Sequence, residues 1–139
     1  MINSEQEEVK TPKSKQVKLS SVFDTLLDEN FFITVRDNPL PKVQQLRKSD
    51  WMYICLTSER NKLNKVWCEL WDDYVFLKQD KDKPVTAFMD IKWSRMKFLI
   101  DDNVAGKKVC SIKFSKFRSY EELFNSDVNL LFEWFHELK

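Results

Sequence analysis

The 139-residue chain holds a single glycine, Gly106, where ordinary usage of about 7% would place roughly ten. Glycine-rich phosphate loops need a backbone that approaches the phosphate closely and takes positive φ, so the P-loop and the dinucleotide-binding turn are excluded. Histidine also occurs once, at His136. Two-histidine zinc motifs are therefore impossible within the chain, and a histidine-based triad has little to be assembled from. The three cysteines, Cys55, Cys68 and Cys110, form no C-x-x-C pair, and each lies inside an apolar run. They read as small buried hydrophobes of a reducing compartment. Net charge is nearly absent too: 23 basic against 22 acidic residues leave +1, so no chain-wide field draws nucleic acid. No apolar stretch approaches the roughly 18 residues of a membrane span, and the first residues are polar and acidic, unlike a secretory signal. The expected location is cytoplasmic, with peripheral attachment to the cytosolic face of a membrane left open.

What is present is core material. The hydrophobic fraction is 42% and the aromatic fraction 14%, enough for one folded domain at this length. Residues 1–46 read as a partly disordered extension. Within it Val22, Phe23, Leu26 and Leu27 fall on one face of a short helix that Ser20 or Ser21 can cap, and Phe31 to Val35 reads as extended. Residues 47–139 read as the domain itself.

From Asp50 onward short β-like runs follow one another closely: Trp51 to Leu56, Val66 to Leu70, Tyr74 to Lys78, Thr86 to Ile91, Arg95 to Ile100, Lys108 to Phe114, and one near Phe117 to Leu123. Seven strands at this spacing predict an antiparallel barrel or sandwich. The turns fall at Glu59 to Asn64, Asp72-Asp73, Gln79 to Pro84, Lys92-Trp93-Ser94 and Asp101 to Lys107. A last helix follows, capped by Ser126 or Asp127, with Leu131, Trp134, Phe135 and Leu138 on one apolar stripe. That stripe has to lie against the open end of the barrel. Trp67, Phe76, Phe88, Phe98, Phe114 and Trp134 are predicted to point inward.

Three segments carry a family resemblance over Lys48 to Lys139. Asp50-Trp51-Met52-Tyr53 resembles a G-W-L-Y-type opening strand, with Asp50 where glycine is usual. Val66-Trp67-Cys68-Glu69-Leu70 followed by Tyr74-Val75-Phe76-Leu77-Lys78 resembles an R-W-F-V-L second strand and an aromatic third. Glu121 to Leu138 resembles a terminal segment whose helical tryptophan, here Trp134, packs into the barrel. In this order and spacing they resemble a pleckstrin-homology domain, which implies a seven-stranded barrel capped by a C-terminal helix and recognition of phosphoinositide headgroups. The resemblance also implies a lysine late in the first strand and a K-x-R pair entering the second. This chain has Ile54 or Cys55 at the first position and Asn64-Lys65-Val66 at the second, leaving Arg60, Lys62 and Lys65 to supply charge, with Glu59 against them. A tight headgroup pocket is not expected there.

The stronger electrostatic signal comes later. From Lys92 to Arg118 there are eight basic residues (Lys92, Arg95, Lys97, Lys107, Lys108, Lys113, Lys116 and Arg118) against Asp101 and Asp102. If the fifth and sixth runs are neighbours in the sheet, alternation puts Arg95, Lys97 and Lys113 on one outward face, with Lys107 and Lys108 at its edge. Trp71 and Trp93 sit at turns beside charged residues and are the candidate partner contacts. The adjacent carboxylates Asp72-Asp73, Asp101-Asp102 and Glu121-Glu122 do not have the geometry of an acid/base pair. The sequence thus predicts a non-catalytic targeting or scaffolding module that binds a protein partner, with weak phosphoinositide or anionic-membrane association. No cofactor, metal or small-molecule substrate is expected. The alternatives are a peptide-binding module on the same barrel and a nucleic-acid or histone-binding one.

Overall fold

A computed structural model describes residues 31–36, 38–56, 59–117 and 119–139. The short helix expected over Val22 to Leu27 lies outside the described residues. The described chain forms eight strands, β1 (Ile33–Thr34), β2 (Leu46–Leu56), β3 (Glu59–Trp71), β4 (Tyr74–Lys78), β5 (Val85–Asp90), β6 (Arg95–Val104), β7 (Lys107–Lys116) and β8 (Ser119–Asn125), followed by one helix, α1 (Val128–Leu138). All pair antiparallel in one sheet of order β1-β5-β4-β3-β2-β8-β7-β6. Two meanders, β2 to β5 and β6 to β8, are joined where Tyr53 of β2 pairs with Phe124 of β8. The result is a mainly antiparallel, barrel-like β fold capped by a C-terminal helix.

Alternation explains which residues close the interior. Met52 and Ile54 of β2, Val66, Cys68 and Leu70 of β3, Val75 and Leu77 of β4, and Ile112 and Phe114 of β7 recur at every second position and are buried in one cluster. Leu131, Trp134 and Leu138 of α1 enter the same cluster. Phe31 and Phe32, ahead of β1, join it as well. Burying each large side chain of this kind contributes about 1.5–3 kcal/mol, so the helix stripe and the Phe31–Phe32 step are integral to the core.

Several sequence expectations need correction. Eight described strands replace the expected seven, because Ile33 and Thr34 pair with Phe88 and Ala87 of β5. Glu59 to Asn64 is not a turn. It is the start of β3, in which Asn64 is buried with its amide donating to the Ile54 carbonyl at 3.4 Å. Leu63 there flanks a second small cluster of Cys55, Val109 and Phe124, together with Tyr53 and Val104. Asp101 to Lys107 is likewise mostly strand: β6 runs to Val104, and the chain reverses over Ala105 and Gly106 alone. A lysine- and asparagine-rich composition hides these strand ends because little of either face there needs to be apolar. Among the expected inward aromatics, Phe114 and Trp134 are in the core and Phe98 packs partly buried against it. Phe76 and Phe88 are buried outside that cluster, and Trp67 is only half-buried. All three cysteines are buried and free.

The capping helix is held at both ends. The Asp127 carboxylate accepts the Asn129 and Leu130 amides, each at 3.1 Å, satisfying two of the unpaired donors of the first turn. At the other end Arg47 of β2 reaches the Glu137 carboxylate at 3.3 Å and also donates to the Glu137 carbonyl and, at 2.9 Å, to the Asp72 carbonyl. Asp72, in the β3–β4 turn, uses its carboxylate to accept the Gln44 and Gln45 amides at 2.9 and 3.1 Å. One guanidinium thus ties the helix end to a sheet corner.

The β6–β7 reversal places Ala105 at φ 54° and Gly106 at φ 75°, the left-handed pair of a two-residue hairpin turn. A Cβ at Gly106 would meet nothing within 4 Å, so its replacement acts through backbone strain alone. Gly106→Ala is expected to lower unfolding stability by about 1 kcal/mol, and Ala105→Gly to raise it by a few tenths to about 1 kcal/mol. Equilibrium urea unfolding of the two variants measures both.

Candidate functional site

The β6–β7 hairpin sets the first feature. Its register puts Lys97 directly across from Lys113, Arg95 across from Ser115, and Phe98 across from Ile112. Residues directly opposite share a face, so Arg95, Lys97 and Lys113 lie on the side opposite Ile112 and Phe114. Arg95 and Lys97 are exposed and Lys113 half-exposed, its ammonium 4.2 Å from the centre of the Tyr120 ring. On the same face Glu122 of β8 stands across from Lys113, buried, and accepts the Ser111 hydroxyl at 3.0 Å.

Lys107 and Lys108 are exposed, but they open β7 beside the Gly106 turn, across from Val104 and Asn103. They therefore sit at the far end of the hairpin from Arg95, separated along β6 by about 25–30 Å at ~3.3 Å per residue. The expected cationic edge is split in two. Lys62 and Lys65 lie on β3, both exposed, with β2 and β8 between them and β7 in the sheet. Lys65 holds its ammonium 4.7 Å over the Trp51 ring. Arg60 also falls in β3, its side chain outside the described residues. The cations expected to ring a loop are thus on a strand, because the loop is shorter than its composition suggested.

The outward face of β2 to β5 carries the second feature, an aromatic layer. Trp51 faces Trp67, Glu69 faces Phe76, Trp71 faces Tyr74 and Phe76 faces Phe88. The rings meet at centroid distances of 5.3 Å for Trp51–Trp67, 6.4 Å for Trp71–Phe76 and 6.2 Å for Phe76–Phe88, spacings at which aromatic pairs attract. Glu69 organises the layer. It accepts the indole N–H groups of Trp67 and Trp71, each at 2.9 Å, and the Lys78 ammonium at 3.0 Å. Trp71 is consequently fixed and half-buried, unlike the free contact its turn position suggested. Partial burial raises the Glu69 pKa, but the bonds from Trp71, Lys78 and Trp67 and the Lys78 charge outweigh it, and the carboxyl ends below its ordinary value.

The third feature was only half legible. Trp93, in the β5–β6 turn, is 87% exposed and Phe117, in the β7–β8 turn, is fully exposed. Both have left-handed backbones, at φ 69° and 52°, which is uncommon for aromatic residues. They border one open groove of about 670 Å³ together with Lys92, Arg95, Ser115 and Lys116. The sequence pattern predicts Phe117 as a strand residue, whereas it occupies the β7–β8 turn; its position between Lys116 and Arg118 is the signal that points there. His136 is exposed on α1 and packs on Phe132 at 4.5 Å. Among the described residues no cluster of side chains suits a metal ion, and no described helix is long and apolar enough to cross a membrane.

Compared with known proteins, the chain matches no family model and no curated sequence.

Because the folded Glu69 pKa lies below the unfolded one, its contribution to stability is fully present above the ordinary value of 4.5 and is lost as pH falls through the folded value. Acid unfolding of the chain is expected to show this loss below about pH 4.5. Glu69→Gln should flatten that part of the profile and lower stability at neutral pH. Thermal melts across pH 3–7, read by tryptophan fluorescence, check both.

Proposed function

We propose that the chain is a non-catalytic, pleckstrin-homology-like targeting or scaffolding module whose β6–β7 face docks onto an anionic protein surface, with weaker association to anionic membranes. The observation that carries this reading is the pairing of Lys97 with Lys113 beside the exposed Arg95. Two like charges directly opposite destabilise a sheet in isolation. Glu122, across from Lys113, supplies part of the countercharge, and an anionic partner over the exposed Arg95 and Lys97 would add to it. The fold assignment within the proposal is supported by two antiparallel meanders closed by a terminal helix whose tryptophan is buried in the core. Discounting a tight headgroup pocket is supported by Lys65 standing on a strand over Trp51. Each cation near an anionic lipid surface adds only about 1 kcal/mol, so three give weak, salt-sensitive membrane binding.

A peptide-binding reading has one observation of its own. Strand β6 ends the sheet order, so its outer edge pairs with no other described strand. Ile100 on β6 and Phe132 and Val128 on α1 are exposed beside it. An extended segment adding to that edge would find apolar contacts at alternate positions. Leu130, which the helical spacing offers as a contact, is partly buried against the core, so Phe132 takes its place on that face.

Binding of the full chain to poly-glutamate and to phosphatidylcholine vesicles with and without phosphatidylserine tests the proposal. At low salt the chain is expected to bind poly-glutamate and, more weakly, the anionic vesicles. Lys97→Glu with Lys113→Glu should cut poly-glutamate binding at least tenfold, while Lys62→Ala with Lys65→Ala leaves it within about twofold. Absence of binding to either probe at low ionic strength overturns the reading.

A further inference from the structure

The groove between Trp93 and Phe117 is anchored on both sides. On the first, the Asp90 carboxylate accepts the Lys92 amide at 3.1 Å, and the amide and hydroxyl of Ser94 donate to the Ile91 carbonyl at 3.1 and 2.7 Å, which fixes the backbone on which Trp93 stands. On the second, Lys116, the residue before Phe117, donates to the Asp90 carbonyl at 2.7 Å and so ties the end of β7 to the end of β5, from which the two turns leave. Both rings are thus held in place while they remain in solvent. A site set in advance gives up little conformational freedom when it binds.

Its chemistry is one-sided. Lys92, Arg95 and Lys116 stand beside the two rings, and no carboxylate is among the described residues that line the groove. Asp90 belongs to the adjoining cleft, where its carboxylate already takes the Lys92 amide. An occupant therefore has to bring negative charge and apolar surface together. The volume of about 670 Å³ lies within the roughly 300–1,000 Å³ of ordinary ligand pockets, which suits a few residues of a peptide. A flat bilayer would touch the outer edges of the rings and leave the space between them unfilled. A nucleic-acid strand calls for a longer cationic track than three side chains on a chain of net charge +1.

We propose that the groove takes an acidic segment of a partner protein in which an aromatic residue is flanked by carboxylates, its ring packing against Trp93 and Phe117 and its carboxylates meeting Lys92, Arg95 and Lys116. The proposal rests on the reading of the β6–β7 face as a docking surface for an anionic protein, and it names what that protein presents. Arg95 belongs to both features, so one segment can run from the groove toward Lys97 and Lys113. The cations supply attraction for any acidic surface. The rings supply the preference for an aromatic one, since aromatic pairs attract beyond the area they bury.

The test is the affinity of the full chain for two immobilised polymers at low ionic strength, poly-glutamate and a random glutamate–tyrosine copolymer of matched length. The copolymer is expected to bind about fivefold or more tightly. Trp93→Asn with Phe117→Asn should bring the copolymer down to the level of poly-glutamate, while poly-glutamate, which meets only the cations, stays within about twofold. Asparagine tolerates left-handed backbone, so the double variant should melt no lower than the unmodified chain, which separates loss of the rings from loss of the fold. Equal affinity for the two polymers, or a tyrosine gain that survives the double variant, overturns the proposal. So does binding of oligothymidylate or of phosphatidylserine vesicles that the double variant abolishes, which assigns the rings to nucleic acid or to a membrane. Poly-glutamate tells the two failures apart: no binding to it by the unmodified chain overturns the docking face and the groove with it, whereas binding without a tyrosine gain overturns the groove alone.

Discussion

Closure of the sheet by Trp134 is the constraint on which the other features depend. The two meanders touch along a short β2–β8 junction, and neither buries its inner face alone. Trp134, with Leu131 and Leu138, supplies the shared wall, entering the cluster that already holds Met52, Val66 and Leu70 from one meander and Ile112 and Phe114 from the other. A tryptophan can do this because its ring reaches across both layers from a single Cα. Losing a buried tryptophan typically costs about 3–5 kcal/mol, a large share of the 5–15 kcal/mol that holds a domain of this size. The Arg47 contacts at the helix end are partly exposed and add less energy than position.

With the interior closed, the period of the strands decides what the exterior carries. On β2 to β5 the outward positions are aromatic, and Glu69 gathers two indoles and a lysine ammonium into a network in which every strong donor has an acceptor. That face is spent on internal order. On β6 and β7 the outward positions include Arg95, Lys97 and Lys113, and Glu122, across from Lys113, is buried and also accepts the Ser111 hydroxyl. The two faces therefore differ in chemistry, and the proposed docking rests on the cationic one even though the other is richer in tryptophan.

The sequence made element type and the helix stripe legible over most of the domain, because a two-residue period and a three-to-four-residue period are properties of single segments. Arg95, Lys97 and Lys113 were legible for the same reason: each alternates with a buried hydrophobe. Strand ends were not. At Glu59 to Asn64 and Asp101 to Lys107 the apolar residues that pack, Leu63 and Val104, meet the small cluster around Phe124, and the surrounding polar composition imitated a loop. The side of the sheet on which an aromatic lies was also hidden. Phe76 sits between Val75 and Leu77, all three buried, and an unbroken apolar run has no phase until its cross-strand partners are known. The Trp93–Phe117 groove required two turns from distant parts of the chain to meet, which local pattern cannot report.

The scarcity of glycine then takes on a physical meaning. Five described residues have left-handed backbone, and only Gly106 among them adopts it without steric cost. Ala105 shares its turn with Gly106. Asp72 is held by contacts its own groups make, its carboxylate taking two amides and its carbonyl accepting from Arg47. At Trp93 the turn is fixed by neighbours instead: the Asp90 carboxylate accepts the Lys92 amide, and both the amide and the hydroxyl of Ser94 donate to the Ile91 carbonyl. Nothing in that scheme uses the indole. Glycine or asparagine would satisfy the same turn with less strain, and the same holds at Phe117. A large apolar side chain placed in solvent on backbone that disfavours it is costly twice over, once in conformation and once in exposed surface. Within the described fold the Trp93 ring meets the Lys92 ammonium at 5.5 Å from its centre, an exposed cation–π contact worth about 0.5–1 kcal/mol, which offsets only part of that cost.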